Sequence, residues 1–182
     1  MRTILHVSFA VLIVFGASSS IASSNTAKSS TLTGKMTSAR YLIGTWSCAT
    51  KVAAFGKTAA HTETAKSLYW IESGNTVGSY YGAKGYSSSG YQGWMASKNL
   101  WWSSWSDRFG GIGAGTGKDS GTNAQLLTGT RWFQGQPSPV RDTMTKNTDT
   151  SFRDLVEVKT NGTWSWVADS ACTKISNKMI YD

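Results

Sequence analysis

The sequence predicts an all-β fold: a single antiparallel up-and-down β-barrel of about ten strands, with first and last strands adjacent and linked by a disulfide. Three observations predict it. Short runs rich in Thr, Ser, Tyr and Trp recur at intervals of roughly 8–12 residues with turn residues between them, the spacing of an antiparallel sandwich or barrel. Leu/Glu/Ala-rich stretches with a helical period are missing. The two cysteines, Cys48 and Cys172, lie near opposite ends of the β-rich region.

In chain order, residues 1–22 read as a secretory signal peptide: Arg2, a short apolar run, then the small residues of "SIA" before Ser23. The apolar run is too short for a membrane span. Cleavage after Ala22 is therefore expected to leave no stable span, and the mature protein to be secreted or periplasmic. Residues 23–39 are Ser, Thr and Lys with almost nothing to bury, and read as a flexible leader. The barrel domain is assigned to residues 40–182. A chain of 182 residues suffices for one domain with a core and is too short for two.

Predicted strands cover 41–51, 62–72, 76–84, 88–96, 100–107, 110–118, 123–133, 140–146, 151–159 and 163–174. The breaks between them include "SGN" at 73–75, "GY" at 85–86, "SKN" at 97–99 and "GQPSP" at 135–139. Asn161-Gly162 is the favoured pair for a two-residue type I′ hairpin, because both positions need positive φ. It joins the last two strands. Alternate residues of a strand share a face, which groups Leu42, Gly44, Trp46, Cys48 and Thr50 in the first strand. The same rule groups Trp164, Trp166, Ala168, Ser170, Cys172 and Lys174 in the last. In an oxidising compartment the two cysteines read as one disulfide. That bond needs Cα atoms within about 7 Å, so the first strand lies beside the last, and this closes a barrel.

Gly44-Thr45-Trp46 resembles the Gly-x-Trp signature of lipocalins and the wider calycin group. More closely, "LIGTWSC" and "WSWVADSACTKI" are similar to bacterial secreted proteins of the DUF1579-like, fatty-acid-binding-protein-like kind. The resemblance spans residues 41–175 in architecture, with motifs at its two ends. It implies a calycin-like barrel. In lipocalins an arginine of the last strand packs over the signature tryptophan; the matching position here is Lys174. Avidins also carry Gly-Thr-Trp on a first strand, but "SCAT" departs from the Asn, Ser and Tyr pattern that follows in them, so biotin is not expected.

The formal charge is +8; without Arg2, 17 basic residues stand against 10 acidic ones, or +7. The basic residues are scattered singly, without the stripe of a nucleic-acid binder, so no specific nucleic acid is expected. "GGIGAGTGKDS" fails as a phosphate loop, since Ile112 and Asp119 stand where Gly and Ser/Thr are needed. It reads instead as a strand or loop that another chain segment or a ligand approaches closely. Two cysteines and His61 are a poor metal set, so neither metal nor cofactor is expected. His61 itself reads as a solvated strand-end residue. Asp107, Asp119, Asp142, Asp149, Asp154, Glu157 and Asp169 form no sequence motif, there is no nucleophile elbow, and the chain is not expected to be an enzyme.

The aromatic load is large: nine Trp, seven Tyr and six Phe. Small barrels bury aromatics inside. The primary expectation is that Trp46, Trp70, Trp94, Trp132, Trp164 and Trp166 line an interior that takes a small apolar or aromatic ligand. A carbohydrate-binding module is the alternative, with Trp101, Trp102 and Trp105 as an exposed stacking platform. A hydrolase using carboxylates such as Asp107 or Asp119, and an envelope or interaction protein without a small ligand, complete the alternatives.

Overall fold

The computed structural model describes residues 31–54, 59–133 and 135–178. The signal peptide expected at residues 1–22 lies outside them. Ten strands follow one another: β1 Gly44–Val52, β2 His61–Ser73, β3 Thr76–Ala83, β4 Tyr86–Met95 and β5 Leu100–Asp107. The second half comprises β6 Ile112–Asp119, β7 Ala124–Phe133, β8 Gln136–Thr148, β9 Ser151–Thr160 and β10 Thr163–Ser176. Each pairs antiparallel with the next, and β1 pairs with β10, so the sheet closes into a ten-stranded up-and-down barrel. Closure leaves no edge strand to pair with another chain.

Cys48 and Cys172 stand directly opposite each other across the β1–β10 seam, their Cα atoms 4.0 Å apart, and are joined as a disulfide. The β9–β10 hairpin turns on Asn161 (φ 50°) and Gly162 (φ 83°), the two positive angles that a type I′ turn requires. Strand β8 starts earlier than the sequence predicts and takes in Pro137 and Pro139. These prolines pair with β7 alone, because β9 joins β8 only from Val140 onward. On a segment bonded along one side, a missing N–H removes no ladder bond from the other.

Residues 41 and 42, expected in the first strand, instead end a 3₁₀ helix over Gly34–Leu42. Its buried residues, Met36, Ala39 and Leu42, recur every third position. With three residues per turn they stack on one side of a 3₁₀ helix. Thr37 Oγ1 and Ser38 Oγ donate to the carbonyls three residues back, both at 2.9 Å. Leu32 is buried as well, so the flexible leader expected up to residue 39 is a packed segment over its described part. Reading that stretch by composition misses that two Leu/Met side chains and a small alanine suffice to cover a barrel end.

The helix closes one end of the barrel. Trp46 lies under it and donates Nε1–H to the Leu42 carbonyl at 2.6 Å. The Trp46 ring meets Phe152 edge-on at 4.7 Å, and Trp94 meets Trp101 edge-on at 5.2 Å. Lys174 reaches in from β10, with Nζ 4.8 Å from the Trp46 ring centre, and donates to the Ile43 carbonyl at 3.1 Å. On the far side of the helix Lys35 Nζ pairs with Asp119 Oδ2 at 2.5 Å, and Asp119 Oδ1 accepts from Trp101 Nε1 at 2.8 Å. Most of the apolar core therefore sits in this half.

Candidate functional site

Away from the helix the inward positions become small. On β6 the inward residues are Gly113, Gly115 and Gly117, which pair with inward Gly129 and Leu127 of β7 and with Trp105, Ser103 and Trp101 of β5. A Cβ added at Gly113 would lie 2.5 Å from the Trp105 ring, so the indole lies flat across the glycine. This is the purpose of the "GGIGAGTG" stretch: it is a strand whose inner face has almost no thickness. The result is a cavity of about 740 Å³ between the packed half and the barrel mouth. Phe152, Tyr69 and the Cys48–Cys172 disulfide border its inner end, and His61, Lys84 and Phe109 stand at the strand ends away from the helix.

None of the six tryptophans expected to line the interior reaches this cavity. Trp46 and Trp94 point inward but are packed into the closed half. Trp70 lies on the outer face of β2, folded over Gly78 of β3, and donates Nε1–H to Glu72 at 2.9 Å. Trp132 (40% exposed) and Trp166 (45% exposed) face outward. Trp164 does too, stacked under the Arg141 guanidinium at 4.7 Å. The physical reason in β10 is a bulge between Trp166 and Ala168, which reverses the inside–outside parity that ties Trp164 and Trp166 to Cys172 in an unbroken strand. The expected outer platform does not form either: Trp101 is buried, Trp105 lines the cavity, and only Trp102 packs on the outside, over Gly93.

The carboxylates also sort differently from the expectation. Asp107 caps the β5–β6 turn, its Oδ1 accepting from the amides of Phe109 and Gly111 at 2.8 and 2.9 Å. Asp119 is tied up at the opposite end of the barrel. They cannot share one reaction centre. The pair that does assemble is Asp142 on β8 and Asp154 on β9. Asp142 pairs with Val156 and Asp154 with Met144, so the two acids are diagonal neighbours facing the cavity. Burial pushes the Asp142 carboxyl well above the ordinary range, reinforced by the charge of Asp154 and the hydrogen bond between them. Asp154 is also raised, by burial first, although the hydrogen bond from Asp142 lowers it in part. Two carboxyls sharing one buried site favour holding a proton between them. Each leaves one oxygen, Oδ1, without a hydrogen-bond partner.

Around the pair stand hydroxyls. Tyr69 and Tyr41 both have phenols held up, first by burial and then by the Asp154 charge. Ser170 pairs with Asp154 across β9–β10, and its Oγ lies 2.9 Å from Thr50 Oγ1. Thr50 in turn accepts from the Tyr81 hydroxyl at 3.0 Å, which also lies 3.3 Å from Glu63. Burial raises the Tyr81 phenol to about 12. His61 Nε2 sits 3.7 Å from Glu63 near the mouth. On the wall opposite β9, Gln92 of β4 is 9% exposed, lines the same cavity, and has no partner for its Nε2.

The sequence does carry a signal for the acids. Val140, Asp142 and Met144 alternate on one face, as do Phe152, Asp154, Val156 and Val158. In each case a single acid interrupts an otherwise apolar inward row. Among the described residues no group of three or more His, Cys, Asp or Glu could hold a metal ion, and no helix is long and apolar enough to cross a membrane.

No protein-family model matches the chain, and no curated protein matches it.

Proposed function

We propose that this protein is an exported binding barrel that takes one small molecule through its open end. The observation that carries this reading is the cavity of about 740 Å³, sealed at one end by the 3₁₀ helix and core and lined by both aromatic rings and polar groups. Ligand sites are concave, of a few hundred to about 1,000 Å³, with few polar groups set among apolar ones. A barrel built only for rigidity would fill this space with side chains, as its other half does. The glycines of β6 and β7 do the reverse.

The wall chemistry refines the ligand. Thr50, Ser79, Ser88, Ser103, Tyr81 and Ser170 face the cavity beside Trp105 and Phe152. A purely apolar ligand would strip these hydroxyls of water and return nothing. The ligand is therefore aromatic with hydrogen-bonding groups. The disulfide accords with an oxidising compartment. Native mass spectrometry on the exported protein, purified without denaturant, tests the reading. The expected spectrum holds an additional non-covalent mass, or gains one when aromatic polar compounds are added back. A protein that stays bare throughout would overturn it.

A further inference from the structure

The cavity's inner end differs from its mouth in one respect: the charged groups facing it are both acids. Asp142 and Asp154 both line it, and each has an Oδ1 that is closed off from solvent and bonded to no other residue. The basic side chains that line the cavity, His61, Lys84 and Arg131, belong to its outer part, at or near the strand ends away from the helix. Phe152 and Tyr69 supply aromatic surface at the acids' end of the cavity. Across the barrel, on a strand five places from β9 in either direction, the buried Gln92 holds an amide nitrogen without a partner. Neither feature serves the fold. Buried polar atoms left unbonded cost stability, and a core position accepts an apolar residue more easily. Gln92 is an independent sign that the missing partner is a ligand, because it sits on a different wall and carries no charge.

We propose that the cavity selects an aromatic amine, its ammonium group seated on the Asp142–Asp154 pair and a polar substituent on the ring's far side bonded to Gln92. The inference rests on the ligand-binding reading above and names its ligand class. An ammonium presents three donors and one positive charge. Seated on the two carboxyls, it offers them donors and removes the repulsion that keeps a proton in the pair, while the flanking rings add cation–π attraction. The balance is simple. The protonated amine enters as a cation, the shared carboxyl proton leaves to the buffer, and two carboxylates then hold one ammonium with no other bond made or broken.

Isothermal titration of the disulfide-bonded protein near neutral pH tests this with four probes of similar shape: tyramine, its neutral analogue tyrosol, the anion 4-hydroxyphenylacetate, and phenethylamine. The expected order is tyramine at least tenfold tighter than tyrosol, with the anion weakest. Repeating the titration in buffers of different ionisation heat should show proton release with tyramine and none with tyrosol. Asp142→Asn and Asp154→Asn should each bring tyramine down to the level of tyrosol while leaving tyrosol binding in place. Gln92→Leu should weaken tyramine and tyrosol alike and leave phenethylamine, which lacks the hydroxyl, unchanged. Tyrosol or the anion binding as tightly as tyramine would overturn the amine assignment and leave the binding barrel standing. Binding of none of the probes, with a bare protein in native mass spectrometry, would overturn both.

Discussion

Aspartates 142 and 154 make the residue scale testable without any ligand. Their folded-state affinity for protons exceeds that of an unfolded chain, whose aspartates titrate near 3.9. The folded protein thus binds more protons than the unfolded one between that value and the raised native one. Stability from this pair is highest in acid and declines as pH rises through the window. The Asp169 charge behind Asp154 pushes the same way. Asp142→Asn should accordingly melt higher than the parent at about pH 8 and much closer to it at about pH 4. Carboxylates lowered by arginine partners, Glu157 beside Arg141 and Asp169 beside Arg153, have the opposite slope, but they are common to both proteins and cancel in the difference. A variant that melts lower than the parent at pH 8 would refute the shared-proton picture.

Two glycines test the thin wall at the same scale. A Cβ at Gly113 meets only the Trp105 ring, which can tilt; one at Gly117 meets the backbone carbonyl of Leu126, which cannot retreat without breaking the ladder. Gly113→Ala should cost about 1–3 kcal/mol and disturb the near-UV dichroism of the tryptophans. Gly117→Ala should cost more. Urea unfolding measures both, and equal losses would count against the close approach of β6 and β7.

Among the elements, the 3₁₀ helix is held by its apolar face rather than by its charges. Leu42 is fully buried, and Leu42→Ala should remove about 2–5 kcal/mol through lost burial and the cavity left behind. Lys35 and Asp119 are 37% and 42% exposed at their side chains, and the pair is screened by solvent. Lys35→Ala should change stability by no more than about 1 kcal/mol. Chemical denaturation of the two variants checks the ranking. The reverse order would mean that the helix is fastened electrostatically, and its stability would then fall with added salt.

For the whole molecule the disulfide is the long-range clasp. It spans a sequence separation of 124 residues, and chain entropy for a loop of that size is worth about 4–5 kcal/mol at most. Replacing both cysteines by alanine should lower the urea midpoint by a corresponding amount, with m unchanged if the unfolded state keeps its compactness. The β1–β10 ladder runs for the length of the seam on its own hydrogen bonds. The variant should therefore still give the β-type far-UV spectrum of the barrel under native conditions.

Taken alone, the sequence determined the elements and the way they close. Period-two runs and turn residues place all ten strands within a few residues, Asn161-Gly162 sets one hairpin, and two cysteines name the seam. These are local signals, carried by neighbouring residues or by the two cysteines. Only the tertiary structure decided what lies inside. One extra residue beside Trp166 turns Trp164 and Trp166 outward, since a single bulge reverses every later side chain. The three-residue spacing of the buried segment before the first strand gains meaning only once there is a barrel end to cover. Asp142 and Asp154 became a pair through the β8–β9 register, and the cavity through which small residues of β6 and β7 came to stand opposite Trp105. Which side chains meet across a closed sheet depends on every register around it at once, and no single stretch of chain contains that information.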